Sequence, residues 1–511
     1  MTTSEWERKS LAIRREILDR TVFVWAVLAL CGLLPIVLVL GIGDRPPVPF
    51  NAAVLQYAIL LWAGLRLAGI AGAGKARPTT TIFWLYVYVW LGLAGFTQLL
   101  SGHSPPSWPM PLPAETVVRT QLVILAGLVA VELGALTRSA PRRRFLPRRT
   151  ISGRAVVWLG IYALVTFPFW LHQLGGASAL LTSRENLSAA VYGDGKAQAG
   201  LIVAFSTVPT FMAAYTLWLS RRYRLVARGL SGLLLCAVVA INVLINSPIA
   251  MPRFWTGTIV VAVIFGTAWV RKHGRIRIVI AGALIATIVL FPYGAYFRYN
   301  SGFKPVSGVT ATLETKSDYD SYQMIGAAVQ RAERRGHTMG RQTTGALLFF
   351  VPRSQWPSKP LDTGAELTGE AGLVYTNVSA PLWAEAYLDF GFLGVILIFA
   401  LYGRFMRRLD DLFLNATTPF ALIAAPVIAG YSVIILRGSL LQAMVRLFAI
   451  ALCLWIVSRK SVSGIPVPVD KHPAGEPDQT TTLRLATATL PIVTKSRRVT
   501  SASTIRESGA R

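Results

Sequence analysis

Two carboxylates, Glu385 and Asp389, stand one helical turn apart at the start of an apolar run. That spacing puts them on one helix face. Carboxylates so close to hydrocarbon need partners. They can pair with neighbouring cations or act as a general base toward an attacking hydroxyl. Upstream, the string Pro352-Arg-Ser-Gln-Trp-Pro-Ser-Lys-Pro360 carries Arg353, Trp356 and Lys359 on a backbone stiffened by its prolines. Further cations gather beside other apolar runs. Arg253 follows Pro252 at the mouth of one, Arg298 closes another, Arg341 lies between them and the proline string, and Arg437 precedes the last run. Arg446 sits about two turns into that last run, where it should face a protein interior. Arg presents a fork that matches phosphate oxygens in pairs. A cluster of such cations beside a membrane points to an anionic ligand, for which a lipid-linked pyrophosphate is one fit. Tyr296, Tyr299, Trp356 and Trp383 offer flat faces for sugar rings, or form an aromatic belt at the membrane boundary.

The elements that position these residues are apolar segments. The 511 residues are 53% hydrophobic and only 15% charged, with mean hydropathy +0.51. A soluble chain carries about 25% charge. Runs long enough to cross about 30 Å of hydrocarbon recur, at 21–40, 52–70, 82–100, 117–136, 155–174, 200–219, 226–246, 255–270, 276–296, 383–403, 419–436 and 440–458. The expectation is an all-α polytopic membrane protein of about 12 transmembrane helices. The first run is too long for a cleaved signal and is read as a retained span. Every second short loop is basic, as in Arg142-Arg143-Arg144 and Arg221-Arg222. The positive-inside rule then places both termini in the cytoplasm.

Five regions follow: a cytoplasmic segment 1–20, spans over 21–296, a large external loop 297–382, spans over 383–458, and a basic tail 459–511 read as a disordered cytoplasmic extension. Within the loop, Asp318 to Arg335 has helical spacing. Thr344 to Val351 is an apolar run too short to span, suited to the interface or to re-entering the membrane against protein. The net charge of +27 is accounted for by basic loops facing anionic lipid, so nucleic acid is not the expected partner. Cys31, Cys236 and Cys453 all lie in spans and form no disulfide framework. The five histidines show no metal-ligand spacing. Gly69-Ile-Ala-Gly-Ala-Gly74-Lys75 lacks the Ser/Thr of a phosphate loop and follows a membrane helix rather than a strand. Asp389-Phe390-Gly391 matches the kinase triplet in letters only.

Four stretches resemble the Wzy-type oligosaccharide repeat-unit polymerases. They are Asn246-Ser-Pro-Ile-Ala-Met-Pro-Arg253-Phe, Phe297-Arg298-Tyr, Val351-Pro-Arg353-Ser-Gln-Trp356-Pro-Ser-Lys359-Pro360, and Glu385-Ala-Tyr-Leu-Asp389-Phe-Gly391-Phe-Leu-Gly394. The likeness covers roughly residues 240–440. It implies a GT-C-like membrane glycosyltransferase of the bacterial cytoplasmic (inner) membrane. Such an enzyme moves a growing glycan from undecaprenyl pyrophosphate to a sugar hydroxyl of the next lipid-linked unit, on the outer face. The resemblance implies that Arg253, Arg298, Arg353 and Lys359 bind the pyrophosphate, with Arg341, Trp356 and Arg437 completing the substrate site. Glu385 or Asp389 would position or deprotonate the acceptor, with Asp318 and Asp320 as rivals. No metal and no other cofactor is implied, because Arg and Lys can supply the charge. The partners implied are a lipid-linked oligosaccharide, membrane lipids and a possible chain-length regulator. A glycan ligase, a glycosyltransferase using lipid-phosphate sugars, and a flippase of lipid-linked sugars stand as alternatives.

Overall fold

In hydrocarbon, a chain segment can satisfy all its backbone groups internally only as a helix, and helix dominates this chain. The computed structural model describes residues 3–43, 45–137, 149–192, 199–293, 308–373, 378–416 and 418–460. Arg298, Tyr296 and Tyr299 therefore lie outside the described residues, as do 461–511.

Among the described residues nine helices are long and apolar enough to cross a membrane. They are α1 (Lys9–Leu40), α2 (Phe50–Ala73), α3 (Pro78–Ser101), α4 (Ala114–Leu136), α5 (Gly153–Gln173), α6 (Ala199–Arg222), then, after the loop, α14 (Leu382–Leu414), α15 (Pro419–Arg437) and α16 (Leu440–Val457). Between α6 and the loop come the shorter α7 (Gly229–Ile245), α8 (Arg253–Gly266) and α9 (Arg275–Ile285). Nine of the twelve expected segments fall on the long helices, and the described parts of the other three fall largely on these shorter pieces. The described part of the loop contains four helices, α10 (Gly308–Thr315), α11 (Ser321–Arg335), α12 (Arg341–Leu347) and α13 (Thr363–Glu370), with a 3-10 turn at Ser317–Tyr319.

A departure from all-helix structure is a two-stranded antiparallel ladder, β1 (Arg149–Ile151) with β2 (Ser458–Lys460). The sequence reading assigned Arg459 and Lys460 to a disordered tail. They instead pair with the end of a basic loop, because strand pairing satisfies the backbone where α16 stops.

Two packing devices position the loop-bearing end. The first is close approach of α4 and α14. A Cβ at Gly134 would lie 2.0 Å from the Ala400 carbonyl oxygen, and one at Gly403 would lie 2.1 Å from that of Val131. Only the missing side chains allow the backbones this near, as small residues do between membrane helices. The indole of Trp383 fills the remaining gap beside Gly127 and donates to the Ile124 carbonyl. Trp383 is fully buried and stacks near Phe83, Tyr86 and Phe399, so it belongs to the core rather than to an interfacial belt. A second core joins α5, α6, α7, α8, α15 and α16 around Trp255 and Tyr431. Arg446 turns into it, its guanidinium 5.7 Å from the Trp255 ring.

The second device is π-helical winding in three helical runs, at Leu28–Leu33, Val87–Leu93 and Ala286–Leu290. Such turns shift the ladder and leave carbonyls that need other donors. Buried side chains supply them. Gln56 donates to the Leu91 and Gly92 carbonyls, Tyr57 to Cys31, Tyr88 to Leu30, and Tyr319 to Thr287.

Helix α14 breaks at Phe390 and Gly391, where Gly391 takes φ 60° and ψ −145°. That region is essentially confined to glycine, and a Cβ there would lie 3.0 Å from the His337 ring. Gly391→Ala should therefore destabilise the fold by about 1–3 kcal/mol. The readout is a lower thermal midpoint of the purified protein. Gly282→Ala, in an open helical position, should leave the midpoint unchanged or raised.

Candidate functional site at the loop-bearing end

Helix α14 carries three deeply buried carboxylates, and each meets the N-terminus of a different helix. Unpaired N–H groups and the helix dipole make such termini favourable places for negative charge. Glu385 accepts from the Leu440 N–H at the first residue of α16, at 2.8 Å. Asp389 accepts from the Gln342 and Thr343 N–H groups in the first turn of α12, at 3.1 and 2.8 Å, and from the Thr338 hydroxyl. Asp410, at the other end of α14, accepts from Thr79 and Thr80 N–H at the start of α3. Glu385 and Asp389 are 1% and 0% exposed. The one-turn spacing thus places both on one face, where each holds a helix end in position.

The loop contributes a fourth carboxylate that sequence reasoning missed. Asp362 caps α13 through the Gly364 and Ala365 N–H groups at 2.9 and 3.3 Å, and it lies near enough to Glu385 for the two carboxyls to repel. Burial pushes the Asp362 carboxyl above its ordinary range, against the pull of those backbone donors. The signal available was an Asp just before Glu366 in a first turn, a common helix-start pattern.

The cations divide into two groups. Arg253 and Arg437 converge on the segment Ser317-Asp318-Tyr319-Asp320. Arg253, at the first residue of α8, pairs with Asp318 at 2.6 Å and donates to the Phe291 carbonyl at 2.8 Å. Arg437, at the last residue of α15, pairs with Asp320 at 3.1 Å and donates to the carbonyls of Ser317 and Asp318. Asp320 is 0% exposed and also accepts from the Ser379 N–H. The guanidinium groups lie over aromatic faces, Arg253 at 4.7 Å from Phe291 and Arg437 at 4.6 Å from Phe254. Trp90, from the π-helical turn of α3, stacks on Tyr319 and donates to the Asp318 carbonyl. Asn246 supports Arg253 indirectly, because it accepts from the Trp255 indole two residues along α8. Asp318 keeps partial solvent access, as do both arginines.

Arg353 and Lys359 do something else. Arg353 donates to the carbonyls of Lys359 and Pro360, at 2.6 and 2.8 Å. Lys359 is buried and donates to Phe349 and Val351, at 2.7 and 2.8 Å. Both therefore close the proline-rich turn onto itself, and neither joins the Arg253–Arg437 cluster through an ion pair or hydrogen bond between described residues. Trp356 donates to the Ser358 hydroxyl within the same turn. Arg341 is half-exposed and reaches only 3.9 Å from Glu366, which Arg331 and Gln342 also hold. Arg298 lies outside the described residues. Among the described residues no group of three His, Cys, Asp or Glu is arranged to hold a metal. The motif at Gly69–Gly74 is a helix end, with Gly74 as a left-handed cap of α2.

Comparison of the chain with protein-family models, curated proteins and solved structures finds no match in any of the three.

Removing one member of a buried ion pair leaves the other uncompensated, at a cost of about 3–5 kcal/mol. Arg437→Gln should thus sharply lower the monodisperse yield of purified protein. Adding Asp320→Asn should recover much of it; recovery to no degree would mean that the pair does not carry the fold. A second outcome concerns pH. The folded protein holds the Asp362 proton more tightly than the unfolded chain, so this group favours folding at low pH. That contribution is lost as pH rises through the carboxylate range. Asp362→Asn keeps a capping side chain and removes the titration. Its thermal midpoint, relative to the unsubstituted protein, should rise between about pH 4 and pH 7.

Proposed function

We propose that this chain is a membrane glycosyltransferase that polymerises lipid-linked oligosaccharide repeat units, acting at the loop-bearing end of its helix bundle. The observation that carries the reading is the convergence of Arg253 and Arg437, from helices far apart in sequence, on Asp318 and Asp320 beside an aromatic floor of Trp90, Phe254 and Phe291. Cations, a carboxylate and flat apolar faces are the groups that a sugar pyrophosphate and an acceptor hydroxyl call for. The buried charges of the large loop and of the helix ends beside it gather at this end, which suits a transferase better than a carrier with a charged path along its middle.

In this reading the acceptor hydroxyl oxygen attacks the anomeric carbon of the growing glycan. The bond from that carbon to the pyrophosphate oxygen breaks, and undecaprenyl pyrophosphate leaves. Arg253 and Arg437 face the negative charge that grows on the leaving group. Asp318 takes the hydroxyl proton. It is preferred to Glu385 and Asp389 because those two are enclosed and hold helix N-termini, whereas Asp318 retains solvent access. The proposed setting is the outer face of a bacterial cytoplasmic membrane with both termini inside, which agrees with the basic short loops. Arg353, Lys359 and Trp356 then shape the loop beside the site, and Arg341 and Arg298 stand as additional phosphate contacts.

The experiment is a gel of lipid-linked glycans from cells with and without the chain. Loss of the chain should collapse a ladder to single repeat units on carrier lipid. Arg253→Gln, compared per amount of folded chain in the membrane, should reduce polymer by about 10²-fold, as removal of one oriented charge does elsewhere, and Asp318→Asn should act in the same direction. An intact ladder held on carrier lipid would assign a ligase instead, and absence of lipid-linked material from the outer face would assign a flippase.

A further inference from the structure

The loop contains a piece of backbone whose exposed side chains do not suit water. Helix α12 ends at Leu347 and the chain turns over 348–350. Leu347 is 60% exposed and Phe350 66%, with Leu348 also exposed. The ring of Phe349 lies 5.7 Å from that of Phe448 on α16. The position of Phe448 places this turn along α16. All eighteen residues of α16, Leu440–Val457, form one apolar window. At 1.5 Å per residue they measure about 27 Å, close to the full hydrocarbon thickness. Leu440 therefore lies near one edge of the hydrocarbon, and Phe448 lies about 12 Å below it. The turn whose Phe349 ring meets Phe448 therefore lies beside α16 within its apolar length.

The same turn meets the condition that non-helical backbone must satisfy at such depth, namely donors for its carbonyls from within the protein. Lys359 supplies them to Phe349 and Val351, and Arg353 closes the returning strand at Lys359 and Pro360. Gly345 lets Pro360 pack flat on α12, since a Cβ there would lie 2.2 Å from the ring. Asp389 anchors the N-terminus of α12, so the segment is held at both ends.

We propose that residues 341–360 form a re-entrant hairpin seated in the membrane leaflet at the loop-bearing end, and that Leu347, Leu348 and Phe350 contact lipid acyl chains directly. The occupant is the bilayer because this apolar surface continues the exposed face of α16, where Phe448 is itself half-exposed. Arg341, half-exposed at the first residue of α12, fits the same partner, since basic side chains beside an apolar segment reach lipid phosphates. This inference depends on the membrane-crossing helices and not on the glycosyltransferase reading.

The test uses the full chain in phospholipid nanodiscs, with Cys236→Ser to remove the exposed thiol; Cys31 and Cys453 are buried. A nitroxide is placed at Phe350→Cys and, separately, at Leu347→Cys. Leu401→Cys on the exposed face of α14 serves as the lipid reference, and Arg334→Cys at the exposed end of α11 as the water reference. Collision rates are measured with oxygen, which concentrates in lipid, and with a water-soluble nickel chelate. Both hairpin labels should show the oxygen-to-nickel ratio of Leu401, several-fold above that of Arg334. A ratio at the Arg334 level would overturn the proposal by putting the hairpin in water. Exclusion of both colliders would overturn it by showing that protein, such as a second copy, covers the surface. Lys359→Met, which strips the donors from Phe349 and Val351, should move the Phe350 label toward the water reference.

Discussion

Buried charge beside hydrocarbon must be satisfied, and the structure meets that demand with helix N-termini. Along α14, Glu385, Asp389 and Asp410 each receive backbone N–H groups from another helix: α16, α12 and α3 in turn. Each contact does two jobs, because it neutralises a carboxylate and fixes where a helix begins. Since α16 and α12 start at the loop-bearing end, the whole architecture of that end refers back to one helix. The kink at Gly391 sits directly after Asp389 and lets the Thr338 and Met339 N–H groups reach the carbonyls of Leu388 and Asp389.

The cation chemistry follows from the same demand. Arg253 and Arg437 meet carboxylates and aromatic faces, and they leave one short segment of loop tied to two distant helices. Arg353 and Lys359 meet carbonyls instead, and they make a tight turn possible next to α16. Two kinds of work are therefore done by residues of one type, and a one-dimensional pattern of Arg and Lys does not separate them. The π-helical turns add to this, since that of α3 brings Trp90 under Asp318 and the one after α9 presents the carbonyl that holds Tyr319.

The helical character and the apolar segments could be read directly from composition and run length, because a membrane helix is a local object whose hydrogen bonds lie within four residues of each other. The helical part of the loop over Ser321–Arg335 was legible for the same reason, through its periodic apolar face. Arg253 and Arg437 stood out as charge beside hydrocarbon, and Asp318 and Asp320 as acids in the loop. Their pairing did not, because Arg253 and Asp318 are 65 positions apart and Arg437 and Asp320 are 117 apart.

The sequence alone therefore determined which segments are helical and apolar, and which charged residues need partners. Only the tertiary structure decided what those partners are. Glu385 and Asp389 read from sequence either as ion-pair partners or as a general base, and it is the termini of α16 and α12 that the fold brings against them. Asp410 attracts no notice until the start of α3 arrives beside it, and the burial of Asp362 beside Glu385 is likewise set only by packing. The physical reason is that burial, and with it the cost of an unpaired charge, is a property of the packed molecule. Local sequence states that a side chain can carry charge; only the neighbours set the dielectric around it and supply the donors that hold it.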